Sequence, residues 1–179
     1  MSGPGGGDDA IFEAVAGTVG QALAGHLPGF AWTLGLPQAV LLALLERGYA
    51  EPGALEPLPE RQYAAIVAGA PPAFAELLGL LRANRSADAD AVRVDWLAHA
   101  LATASLGSRH LWQDLGLSGR EAVSALLRRH FRPLYERNTA NLKWKRFLFA
   151  ELGAAQGKPG LRPPGCGGCE QFAACFPAA

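Results

Sequence analysis

The chain has 179 residues, half of them apolar, and its 16 lysines and arginines balance 16 aspartates and glutamates. That length suits one domain with a core that needs no disulfides. Neutrality removes the bulk electrostatic signature of a nucleic-acid partner, and the longest apolar run, Ala39 to Leu45, is far short of the roughly 20 residues that a membrane span requires.

Residues 1–9 are glycine-rich, with neither a basic nor an apolar region. They are expected to be a disordered tail and not a secretory signal, which leaves the cytoplasm as the default compartment. Thereafter the pattern is helical. Ile11 to His26 is mostly apolar and stops at Pro28, and a second helix is predicted from Pro37 to Arg47, with Gly48 past its end. Three prolines in 51–59 read as a connector. Phe74, Leu77, Leu78 and Leu81 recur at helical spacing within Pro72 to Ala83. Asp88 or Asp90 is placed to cap a helix whose Val92, Trp96, Ala100 and Thr103 share a face, and Gly107 breaks it. Ser118-Gly-Arg-Glu121 fits a capping box before a helix carrying Val123, Leu126, Leu127 and His130. A last helix is predicted from about Asn138 to Leu152, with Trp144, Phe147, Leu148 and Leu152 on one side. No segment alternates as a strand would. The expected class is all-α: a helical domain over 10–152, followed at 153–179 by a flexible Gly/Pro-rich tail.

That tail holds every cysteine, spaced Cys166-x2-Cys169-x5-Cys175. An odd number of clustered thiols in a reducing compartment points to metal ligation, not to disulfides. Gly165, Gly167 and Gly168 permit the tight backbone that would turn the sulfurs to one centre. Thiolates suit zinc, copper(I) and iron–sulfur clusters. Zinc asks for a fourth protein ligand, and a cubane cluster normally asks for four thiolates, so three cysteines leave one position unfilled.

The run Arg128 to Asn138, the segment Leu142-Lys-Trp-Lys-Arg-Phe147, the earlier His110-Leu-Trp-Gln-Asp-Leu-Gly-Leu117 and the cysteine tail together resemble the NifQ family of nitrogen-fixation proteins. The likeness extends more weakly through Leu34-Gly-Leu36. This resemblance implies a carrier, or metallochaperone, without catalytic residues. It would hold a molybdenum–iron–sulfur cluster on Cys166, Cys169 and Cys175 and supply molybdenum for the iron–molybdenum cofactor of nitrogenase. The implied partners are molybdate and the scaffold and reductase-like proteins of cofactor assembly. The family's tail pattern is C-x4-C-x2-C-x5-C, and Leu161 stands where its first cysteine belongs. Either the cluster keeps one corner for exchangeable ligands, or the site is weakened.

Of the histidines, His26 reads as a helix-end residue and His99 as a satisfied core residue. His110 and His130 lie in the family-like segments and are candidate nitrogen ligands or proton donors. Ser105, His110 and Asp114 have the residue types of a catalytic triad, but nothing around Ser105 resembles a nucleophile elbow. Between Arg128 and Arg146 the chain carries seven basic residues and one acidic one, Glu136. Such a block suits an anion, an anionic cluster or an acidic partner. It also suits two solvated helix faces. Two competing classes remain, a structural zinc or interaction module and a small iron–sulfur electron carrier.

Overall fold

A computed structural model describes residues 6–48 and 56–177. In chain order the helices are α1 (Gly6–Leu23), α2 (Gln38–Gly48), α3 (Glu60–Ala68), α4 (Pro72–Ala83), α5 (Ala91–Ala104), α6 (Leu111–Asp114), α7 (Arg120–His130), α8 (Arg132–Arg137), α9 (Trp144–Ala155) and α10 (Phe172–Cys175). Short 3-10 turns occupy Ala31–Thr33 and Cys166–Gly168, and no strand occurs among the described residues. No single helix there is long and apolar enough to cross a membrane.

The architecture follows from α5. Its residues from Leu97 to Ala104 are buried without a break, the mark of a helix enclosed on all sides. Ala98, Ala100, Ala102 and Ala104 keep it thin, so α1 and α4 pack closely against it. α6 joins this centre to α7, which packs on α8, and α9 packs against α4 and buries Phe147, Leu148 and Leu152. Asp90 caps α5, its Oδ1 accepting from the N–H groups of Val92 and Arg93 at 3.0 Å each. Leu34 is buried in the left-handed region, at φ 53°. That conformation costs a branched residue about 1 kcal/mol or more. Full burial of the side chain and a 2.7 Å hydrogen bond from His99 Nδ1 to its carbonyl oppose the cost.

Several expectations shift. α1 begins at Gly6, inside the segment 1–9 expected to be disordered, and residues 1–5 and 49–55 lie outside the described part. Val92 is 61% exposed, because the buried stripe of α5 runs through Val94, Leu97 and Leu101 instead. The capping box at Ser118 does not form. Gly119 precedes α7, which places Glu121 one position too early to close the box. α9 starts at Trp144, not at Asn138, since the Asn138 side chain brackets Leu142. Its Oδ1 accepts from the Leu142 N–H at 2.8 Å and its Nδ2 donates to the Leu142 carbonyl at 2.9 Å, the local competition that keeps asparagine out of helix interiors.

The largest correction concerns the tail. α9 continues past Gly153 to Ala155, Cys166 opens a 3-10 turn that Cys169 follows in extended conformation, and Cys175 ends α10. Leu161 and the buried Pro163 pack this segment onto the body. A Cβ at Gly153 would stand 3.0 Å from that of Leu161, so glycine there lets the returning chain lie against α9.

Candidate functional site

The return of the C-terminal segment creates a cavity of about 630 Å³ between it and the body. Cys166, Cys169 and Cys175 all line it, all half-buried and all free of disulfides. The facing wall comes from the 108–113 segment, the start of α7 and the first turn of α9, bringing His110, Arg120, Lys143, Lys145 and Arg146 to the same space. The sequence places the basic block beside the cysteine tail as a match for an anionic cluster, and Lys143, Lys145 and Arg146 of that block line the cavity that the thiols line.

Below this wall lies an ionic centre that sequence reasoning missed. Asp114 is fully buried and accepts from Lys145 Nζ at 2.6 Å and from Arg109 Nε at 3.0 Å. The Lys145 Nζ also donates to the carbonyls of Gly107 at 3.0 Å and Arg109 at 2.6 Å. Three acceptors match the three protons of an ammonium, whereas a neutral amine would leave one of them without a donor. Burial pushes Lys145 below its ordinary range, with Asp114 opposing, and the full set of acceptors identifies the charged form as the one held. Gly107 is required here, because a Cβ would fall 2.3 Å from Asp114 Oδ2. The triad thus pins the loop 107–110 from beneath.

That loop in turn seats the cysteines. Gly165 has φ 77°, and a Cβ on it would stand 2.9 Å from the Cα of Ser108, so only glycine lets the thiol segment approach this closely. Further contacts hold it. The Arg162 guanidinium lies 5.2 Å and 4.6 Å from the ring centres of Phe172 and Phe176, Arg146 lies 4.9 Å from Phe176, and Lys143 donates to Gln171 Oε1.

Burial first, and then the neighbouring Cys169 and Cys175, push the Cys166 thiol up, while Lys145 and Arg162 oppose. Three thiolates together therefore call for a cation. Even so, among the described residues no group of three or more His, Cys, Asp or Glu side chains is drawn together as the ligands of a metal ion. The cysteines share a cavity without converging on one point.

The other candidates separate. His110 lines the cavity, its pKa pushed down by burial and then by Lys143 and Lys145, which favours the neutral ring that a metal can use. His130 lies elsewhere, lining a small hollow with Asp88 and Arg129. His99 is the core histidine expected. Its Nδ1 meets the Leu34 carbonyl, Arg82 Nη2 lies 3.2 Å from its Nε2, and burial pushes its pKa down. The triad of Ser105, His110 and Asp114 is not assembled. Ser105 Oγ donates back to Leu101, and Asp114 is taken by Arg109 and Lys145. Leu161 packs on the core and is absent from the cavity wall.

The family model NifQ matches residues 14–177. Among curated proteins the chain is 42% identical over 83 residues to "Protein NifQ" of Azotobacter vinelandii, covering 46% of this chain and 43% of that one. It is 39% identical over 82 residues to "Protein NifQ" of Rhodobacter capsulatus, 45% of each. A "Protein NifQ homolog" of Sinorhizobium fredii is 37% identical over 106 residues, 59% of this chain and 45% of the relative. In each case the alignment spans less than half of the relative's length. No solved structure matches. With the family model extending from α1 to the last cysteine, the chain belongs to the NifQ family.

Proposed function

We propose that this protein is a molybdenum carrier, not a catalyst, which holds a molybdenum–iron–sulfur cluster on Cys166, Cys169 and Cys175 and supplies molybdenum for nitrogenase cofactor assembly. The observation that carries the reading is the shared cavity. Three free thiols line one space opposite a cationic wall, within a chain of the NifQ family. Thiolates bound to different irons of a cluster stand further apart than thiolates on a single ion. Cysteines that share a cavity without meeting at one point therefore suit a cluster. The cationic wall offsets the negative charge that thiolates and sulfides bring.

Leu161 bears on the missing fourth thiolate. Its side chain packs beside Gly153 on α9 and does not line the cavity. On this reading one corner of the cluster is left to exchangeable ligands, as suits a donor. His110 and Glu170 are the cavity-lining protein groups with the chemistry to approach that corner.

The function is tested with the anaerobically loaded protein as the sole molybdenum source in a cofactor-synthesis reaction containing the scaffold and reductase-like assembly proteins. Active nitrogenase should appear with loaded wild type and not with Cys169→Ser. No cofactor from loaded wild type would overturn the proposal. A structural zinc site is the second reading. It requires the three thiols to close on one ion, and metal analysis separates it.

A further inference from the structure

The cations lining the cavity divide into two groups. Arg109 and Lys145 are committed to Asp114, to backbone carbonyls and to Gln21. Arg120, Lys143 and Arg146 touch only neutral groups. Arg120 donates to the carbonyls of Asn141 and Leu142 and to Asn141 Oδ1, Lys143 donates to the Gln171 amide, and Arg146 lies over the Phe176 ring. Among the described residues none of the three forms an ion pair. The one carboxylate among the lining residues, Glu170, is exposed. Three uncompensated like charges around one cavity repel each other, and an anion placed among them removes that repulsion. Lys143 and Arg146 also belong to the first turn of α9, where no side chain caps the helix and the backbone adds positive potential.

We infer that Arg120, Lys143 and Arg146 form an oxyanion subsite that takes a tetrahedral dianion, the class of molybdate, tungstate and sulfate, without help from the thiols. The unpaired positive charge lining the cavity supports an anionic ligand of this class. Its identity as molybdate rests on the carrier reading. Arginine forks and an ammonium are matched to such oxygens, and a cavity of about 630 Å³ admits the anion with its remaining water.

The test is calorimetric titration of the full chain, kept anaerobic and free of metal, with tungstate, molybdate, sulfate and perchlorate. Perchlorate, tetrahedral but singly charged, should bind about tenfold more weakly than tungstate, since one charge fewer faces the same wall. The variant with all three cysteines changed to serine should bind tungstate within about threefold of wild type. Loss of one charge-assisted contact should weaken binding by about tenfold or more in each of Arg120→Gln, Lys143→Gln and Arg146→Gln. Arg128→Gln, on the exposed side of α7, should leave binding unchanged. Lys143→Arg keeps the charge and should restore most of the affinity lost in Lys143→Gln, separating lost charge from damaged folding.

Abolished tungstate binding in the folded triple-serine variant would overturn the subsite, as would equal weakening by Arg128→Gln. The carrier reading fails differently. A chain that loads iron but no molybdenum on its thiols while still binding tungstate on the wall keeps the subsite and loses the carrier.

Discussion

Replacing Lys145 by Met removes the ammonium and keeps the stem. Asp114, fully buried, loses its 2.6 Å partner, and the carbonyls of Gly107 and Arg109 lose the donor that bridged them. Breaking a buried pair from one side costs about 3–5 kcal/mol. Arg109 still reaches Asp114 at 3.0 Å, which places the cost at the low end, about 3 kcal/mol. At about 2–4 °C per kcal/mol for a chain of this size, the melting temperature should fall by about 6–12 °C. Urea unfolding followed by circular dichroism reads the stability, and tryptophan fluorescence gives a second probe, two of the four tryptophans, Trp112 and Trp144, lying beside the cavity. A double-mutant cycle sharpens the result. In the Asp114→Leu background the same lysine change should cost less than in wild type, because no orphan carboxylate remains. A loss below about 1 kcal/mol in the single variant, or additive losses in the cycle, would refute the description of this triad as a buried, coupled centre.

Gly165→Val introduces a Cβ at 2.9 Å from Ser108 at φ 77°. It should displace the thiol segment, reducing metal uptake several-fold while metal-free chains melt within a few degrees of wild type; unchanged uptake would count against the seating role. Leu161→Cys should not raise cluster content, since position 161 faces Gly153 and the core. A large anaerobic gain in cluster would instead mean that the site lacks a ligand it can use. His99 has its pKa held below the ordinary histidine value by burial, so the unfolded chain binds the extra proton as pH falls. The stability this contributes is present above about pH 6.5 and declines below it, at most about 1.4 kcal/mol per pH unit for one proton. His99→Gln should therefore flatten the denaturation midpoint between about pH 6.5 and pH 5. A slope unchanged in that variant would transfer the effect to His110, whose pKa is also lowered.

The apolar periodicity of α4, α7 and α9 was plain in the chain because each buries one stripe. α5 was less so. Its alanines make nearly every position compatible with burial, and an alanine-rich composition hides which face is meant. α3, α6 and α8 were missed for a different reason. α6 and α8 run 4 and 6 residues, under two turns, and α3, with 9, buries only Tyr63, so none shows an apolar stripe. The cysteines announced themselves by clustering. Their setting did not, since the turn at Gly165 and the packing of Leu161 and Pro163 are tertiary facts. Lys145 shows the limit most clearly. In the sequence it is one cation of a basic block, and in the fold it is the buried partner of Asp114, 31 residues away, with no local signal to single it out. Asp114 had invited a triad reading that its true partners exclude.

The proposed cargo of the three cysteines is a cluster containing molybdenum. Anaerobic purification from molybdate-replete cells, followed by iron, molybdenum and zinc analysis of wild type and Cys169→Ser, addresses it directly. Molybdenum together with several irons per wild-type chain, both lost in Cys169→Ser, is the expected result. Colourless wild-type protein with one zinc, or iron without molybdenum, would contradict it.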